Sequence, residues 1–84
     1  MRNEKKNRLL IESVKYITGN QKKIKIKGPT KFVQAYSSAI RASKSLYEAL
    51  QLDDTSIRKI EKLVENKKNA AKLFKKVTGS VWPF

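Results

Sequence analysis

Sixteen lysines and four arginines stand against seven Asp and Glu in a chain of 84 residues, and the spacing of these cations is where chemistry is to be sought. Lys22, Lys23, Lys25 and Lys27 place four ammonium groups along about 15–20 Å of extended chain, a span comparable to a few phosphates of a nucleic acid. Arg58, Lys62, Lys72, Lys75 and Lys76 form a second stripe on a helix face, and Lys31 lies between the two groups. A lysine taken singly reads as a solvated side chain. A net charge of +13 on a body of about 12 Å radius of gyration favours a polyanionic partner. Duplex readers present helices rich in Arg, Asn and Gln to the major groove, whereas lysine-dominated contact neutralises the backbone. Little sequence preference is therefore expected. Single-strand binding adds aromatic platforms on which bases stack; Tyr16 and Trp82 are the candidates, because Phe32, Tyr36, Tyr47 and Phe74 fall on stripes that a core would claim.

Catalysis has little to work with. The chain has no His and no Cys, so the commonest general base, thiolate chemistry and a disulfide staple are all missing. The carboxylates Glu4, Glu12, Glu48, Asp53, Asp54, Glu61 and Glu65 show no catalytic pairing. Asp53 and Asp54 precede a helix, where capping is the ordinary role, and Glu61 and Glu65 sit among Arg58, Lys62 and Lys68, where surface ion pairs one turn apart are expected. Gly19, Gly28 and Gly79 are isolated, so no phosphate loop is present. The expectation is a non-enzyme with no catalytic residue, metal or cofactor.

The elements that must position these cations follow from the apolar periodicity. Charge divides the chain into a +8 block (1–31), a −1 block (32–56) and a +6 block (57–84). The neutral block reads as the core helix: Gly28-Pro29-Thr30 punctuates its start, with Pro in the first turn, and Phe32, Tyr36, Ala39, Ile40, Ser43, Leu46, Tyr47 and Leu50 recur at helical spacing. Its opposite face carries Gln34, Ser37, Ser38, Arg41, Lys44, Ser45 and Glu48. Asp53-Asp54-Thr55-Ser56 offers N-cap oxygens for an antiparallel helix with Ile57, Ile60, Leu63 and Val64 inward. Asn66-Lys67-Lys68-Asn69 has no apolar residue, so a kink or break is expected before Ala70, Ala71, Leu73, Phe74 and Val77. Thr78-Gly79 ends that helix. In the first block a helical wheel collects Leu9, Leu10, Ser13, Val14 and Ile17 on one side, ending at Thr18-Gly19, and Lys22–Lys27 alternates Lys with Ile24 and Ile26 as a half-buried strand does. Were 9–18 extended instead, Gly19-Asn20 would turn a hairpin and the fold would be a ribbon on helices. The fold class is mainly α, or a small α+β: three to four short helices with one short basic strand or hairpin, in one small domain whose residues 1–7 fray and whose residues 80–84 form a non-helical tail. The tail Val81-Trp82-Pro83-Phe84 can plug the core, which is the favoured reading, or anchor a partner protein.

The stretches Ala39-Ile40-Arg41-Ala42-Ser43-Lys44-Ser45-Leu46-Tyr47-Glu48-Ala49-Leu50 and Ala70-Ala71-Lys72-Leu73-Phe74-Lys75-Lys76-Val77-Thr78-Gly79-Ser80-Val81-Trp82-Pro83-Phe84 resemble the small C-terminal module associated with UvsW, the recombination and repair helicase of T4-type phages. The resemblance implies an accessory domain of a few helices that binds single-stranded or branched DNA, rather than RNA, beside a helicase or other repair protein in the phage-infected host cell. The longest apolar run, Leu9-Leu10-Ile11, is far below the roughly 20 residues that span a bilayer, and no apolar h-region follows the basic start, so a cytoplasmic protein with no membrane partner is expected. The rival reading is a protein adaptor with a basic surface and a C-terminal Trp-Pro-Phe anchor.

Overall fold

Each helix stops where a local hydrogen-bonding alternative takes over from the helical ladder. In the computed structural model, which describes residues 4–52 and 56–84 with side chains from Arg8 onward, α1 is Glu4–Ile17, α2 is Thr30–Gln51 and α3 is Ile57–Thr78. The start of α1 lies inside the segment expected to fray. Gly19 follows α1 with φ +86°, and the Asn20 and Gln21 amides donate to the Lys15 carbonyl at 2.8 and 3.1 Å. Gly79 closes α3 in the same left-handed conformation, φ +77°, with its amide on the Lys75 carbonyl at 2.7 Å. The threonine before each glycine donates its hydroxyl back four residues, Thr18 to Val14 and Thr78 to Phe74. Ser56 caps α3 by accepting from the Lys59 amide; Asp53, Asp54 and Thr55, read as further caps, lie outside the described residues.

The long antiparallel pair α2–α3 forms on a small-residue seam. Ala35, Ala39, Ala42, Leu46 and Ala49 recur at alternating steps of four and three, and Ile60, Leu63, Lys67, Ala70 and Phe74 answer on α3 at steps of three and four. This is the spacing that keeps two helices facing each other as they wind. All ten residues are buried or half-buried. The seam also explains why α3 runs unbroken through Asn66–Asn69, where a break was expected: that turn's inward position is Lys67, whose aliphatic stem can lie along the seam while its ammonium reaches solvent, and Asn66, Lys68 and Asn69 face outward.

The short α1 packs only on α2 among the described elements. Two serines make the cross-element joints, and their proton arithmetic fixes each direction. Ser13 Oγ donates to the Leu9 carbonyl at 2.7 Å, so the Tyr36 hydroxyl must donate to Ser13. Ser43 Oγ donates to the Ala39 carbonyl at 2.9 Å and accepts from Trp82 Nε1 at 3.0 Å. One joint ties α1 to α2, the other ties the tail to α2. Trp82, only 6% exposed, sits edge-on to Tyr36, Phe74 and Phe84 with centroids 4.9, 5.0 and 5.4 Å away. The tail is a plug, as favoured.

Four further expectations are corrected. No strand forms among the described residues: the chain bends at Lys22 and 23–27 joins no sheet, and the alternation survives only as half-buried Ile24 and Ile26 between exposed lysines. The hairpin alternative for 9–18 fails with it, because that segment is helical. At the α2–α3 turn, Leu50, Ile57 and Val64, placed inward by periodicity, are 58%, 75% and 44% exposed, since α1 does not reach that end to cover them. Pro29 also sits one residue before α2, at its N-cap, rather than within its first turn.

Candidate nucleic-acid interface

The turn after α1 sends the chain back along α2, and Ile24 and Ile26 hold that segment down against the core cluster around Ile17, Ala39 and Ile40. Gly28 (φ +145°) brings the segment into α2 where a Cβ would stand 3.0 Å from the Phe32 ring, too close for any other residue without displacement. Because alternate residues 24 and 26 point inward, the lysines between and beside them are left in solvent. An open groove of about 290 Å³ results, floored by Ile24, Ile26 and Ile40 and walled by Lys22, Lys23, Tyr16, Ser37 and Arg41. Three cations, a hydroxyl donor and an aromatic ring thus share one concavity.

Lys44 holds the groove's α1 wall in place. Its ammonium donates to the Tyr16 carbonyl at 2.9 Å, lies 5.0 Å from the centroid of the Tyr16 ring and is 3.8 Å from Glu48. A cation at the C-terminus of α1 is favoured by the helix dipole, and one over a tyrosine face by the ring quadrupole. The Lys44–Glu48 pair is the one ion pair among the described side chains. The pairs expected of Glu61 and Glu65 do not form, and the groove cations have no described carboxylate within 4.0 Å. They are free to meet an anion.

No family model matches the chain, and neither does any curated protein or solved structure. The function therefore has to be read from the groove and the charges around it. Of the residues expected to bind, Lys22 and Lys23 are brought together in the groove, while Lys25, Lys27 and Lys31 are exposed beside it without lining it. Arg58, Lys62, Lys72 and Lys76 lie along the exposed side of α3; over the 18 residues from Arg58 to Lys76 a helix makes five full turns and rises about 27 Å, so the unbroken α3 aligns them. Lys75 is exposed but about 100° off that line. None of the α3 cations lines the groove. Tyr16 is half-buried at the groove wall, as a stacking platform requires, whereas Trp82 is in the core and cannot stack on a base.

Arg41, Ser37 and Lys44 escaped the sequence reading because all three fall on the polar face of α2, where a charged residue reads as solvated. The signal was their placement: Ser37 and Arg41 are one turn apart, on the same side of the buried Ile40.

Proposed function

We propose that this protein is a non-enzymatic nucleic-acid-binding module that takes single-stranded or branched DNA by its backbone with little sequence preference, as an accessory to recombination or repair. The observation that carries the reading is the convergence of Lys22, Lys23 and Arg41 with Ser37 and Tyr16 in one groove. The cations and the hydroxyl suit a phosphate, the Tyr16 ring offers a face to an unpaired base, and the volume is of nucleotide size; a paired and stacked base could not enter it. The α3 stripe extends the positive field and steers a strand without selecting its form. The basic chain offers few side chains for reading base edges. The resemblance to the helicase-associated module agrees in kind and supplies the repair context. The rival with a Trp-Pro-Phe anchor loses its main residue, since Trp82 is spent on the core.

The test is a titration of single-stranded, forked and duplex oligonucleotides at several salt concentrations. Binding to the single strand should fall steeply with salt. Replacing Lys22, Lys23 and Arg41 together by Gln should lower the magnitude of the log–log slope by about 2, since each phosphate neutralised on a single strand accounts for about 0.7 of it. Duplex should bind more weakly than single strand, and Arg58, Lys62, Lys72 and Lys76 changed to Gln should reduce affinity for both alike. A groove variant that folds and binds single strands with unchanged affinity and slope refutes the assignment.

A further inference from the structure

The apolar side chains left exposed at the α2–α3 turn are not scattered. Exposed Leu50 lies one turn beyond Leu46, which is half-buried in the seam of α2, and exposed Val64 and Ile57 are two turns apart on the same face of α3. Because the helices are antiparallel, both pairs run toward the same end. The tail enters this inter-helix groove from the other end and stops part-way: Trp82, Pro83 and Phe84 line a concavity of about 480 Å³ together with Leu46, Val64 and Ala71, and Lys67 and Lys68 form its rim. Phe84 thus abuts a concavity whose apolar lining reaches Val64, and beyond it Ile57, on the same face of α3, and Leu50 on α2 stand exposed.

We infer that this channel is a docking site for an acidic amphipathic helix of a partner protein, which lays its apolar side chains on Leu46, Leu50, Ile57 and Val64 and sets its carboxylates against Lys67 and Lys68. Charge selects this occupant over the others. A second copy of a +13 chain would bring like charges together at the Lys67–Lys68 rim. A nucleic acid would meet only the two ammonium groups of Lys67 and Lys68 over a largely apolar lining of Leu46, Val64 and Ala71, with the Trp82 ring buried. A membrane surface needs a convex apolar face, and this one is concave. Glu61, one turn from Val64 toward the hairpin end, also gives the partner a direction: its carboxylates belong at the Phe84 end and its apolar or basic residues at the Glu61 end. The site is distinct from the nucleic-acid groove. The two share no lining residue, and Arg41 and Leu46 point about 140° apart around α2 at 100° per residue. Both ligands can therefore be held at once.

The probe is a synthetic 18-residue helical peptide with Leu at positions i, i+4 and i+7 and Glu on the flanks of that stripe at one end, titrated into the isotope-labelled full chain. Backbone amide shifts should appear at Leu46, Val64, Lys67, Lys68 and Ala71 and not at Lys22 or Arg41, and should weaken with added salt. Val64→Glu with Lys68→Glu should weaken the peptide about tenfold or more, by removing an apolar anchor and reversing a rim charge, while leaving oligonucleotide affinity within about twofold as evidence of an intact fold. Absence of shifts at low salt overturns the inference. So does equal binding of a peptide with Lys in place of Glu, a concentration-dependent dimer that the same variant dissolves, or capture by anionic vesicles that it abolishes.

Discussion

The two ends of the α2–α3 pair are built from the same kinds of residue and are held very differently. At the end where α3 finishes, Tyr36, Phe74, Trp82 and Phe84 meet edge to face, α1 lies across α2, and two serines each accept a donor from another element. At the other end, Leu50, Leu52 and Ile57 stand in solvent, and one serine cap holds the first turn of α3. Fixing a side chain costs rotamer entropy wherever it happens, and only the aromatic end returns that cost in buried area. Stability is therefore concentrated beside the groove of Lys22, Lys23 and Arg41, where Ile40 and Ile17 back its floor and wall, and thins out toward the exposed Leu50 and Ile57. A groove that must hold cations against their mutual repulsion gains from a rigid base, and a channel proposed to accept a partner helix would not need one.

Damage to the aromatic end should be the most costly. Trp82→Ala removes the ring on which Tyr36, Phe74 and Phe84 converge and leaves Ser43 without its donor; truncating a buried aromatic of this size costs about 3–5 kcal/mol, against a total of about 5–15 for a domain. The urea midpoint should fall sharply and α1, which depends on Tyr36 for its joint to α2, should loosen in the same transition. A midpoint within error of the parent would show that the tail is not what closes this end.

That contrast also sorts what could be read from the residues alone. The helical segments, the glycine ends of α1 and α3, the plugging tail and the place of Ser13 and Ser43 on apolar stripes were legible because each is a local pattern: period 3.6, a left-handed glycine, a hydroxyl where a methyl was due. The alanine seam was less visible, since Ala35, Ala42 and Ala49 carry so little hydrophobic signal beside Phe32 and Tyr36 that the larger side chains define the stripe. Lys67 broke the pattern in sequence but not in space, because a lysine stem serves a seam that a wheel scores as polar. The strand failed for want of a partner, which no window of six residues can report. For the candidate groove, the run drew attention to Lys22 and Lys23; Arg41 and Ser37 join them only once the chain folds back over α2, a long-range event.

A smaller and pH-dependent effect isolates the joint between α1 and α2. Burial pushes the Tyr36 hydroxyl above its ordinary value, and Ser13, able to turn its proton from the Leu9 carbonyl to the phenolate, opposes this without cancelling it. The folded state therefore favours neutral tyrosine, so the contribution is fully present below the unfolded value near 10 and is lost as pH rises through the higher folded one. Lysines also lose charge in that range and relieve repulsion, with the opposite sign, so Tyr36→Phe is the needed reference. At pH 7 the Phe variant should be less stable by about 1 kcal/mol for the lost hydrogen bond, and the gap should narrow as pH climbs past about 10. Urea midpoints of the two proteins between pH 7 and 11 measure it; a constant gap would mean that Tyr36 titrates as it does in the unfolded chain.

At the open end the effect should be slight, and that slightness is itself informative. Ile57 is three-quarters exposed in the first turn of α3, so exchanging it for Gln removes little apolar area from a packed surface and keeps a residue of good helix propensity. Substitutions away from buried contacts usually stay within about 0.5 kcal/mol, and Ile57→Gln should do the same, with amides of the first turn of α3 exchanging with solvent well before those around Phe74. A loss of stability approaching that of Trp82→Ala would mean that Ile57 is covered in solution, and since the chain's own described elements do not reach it, the cover would have to be another molecule already seated in the channel. Repeating the measurement over a hundredfold range of protein concentration distinguishes that outcome, because only a self-associating cover makes the midpoint depend on concentration.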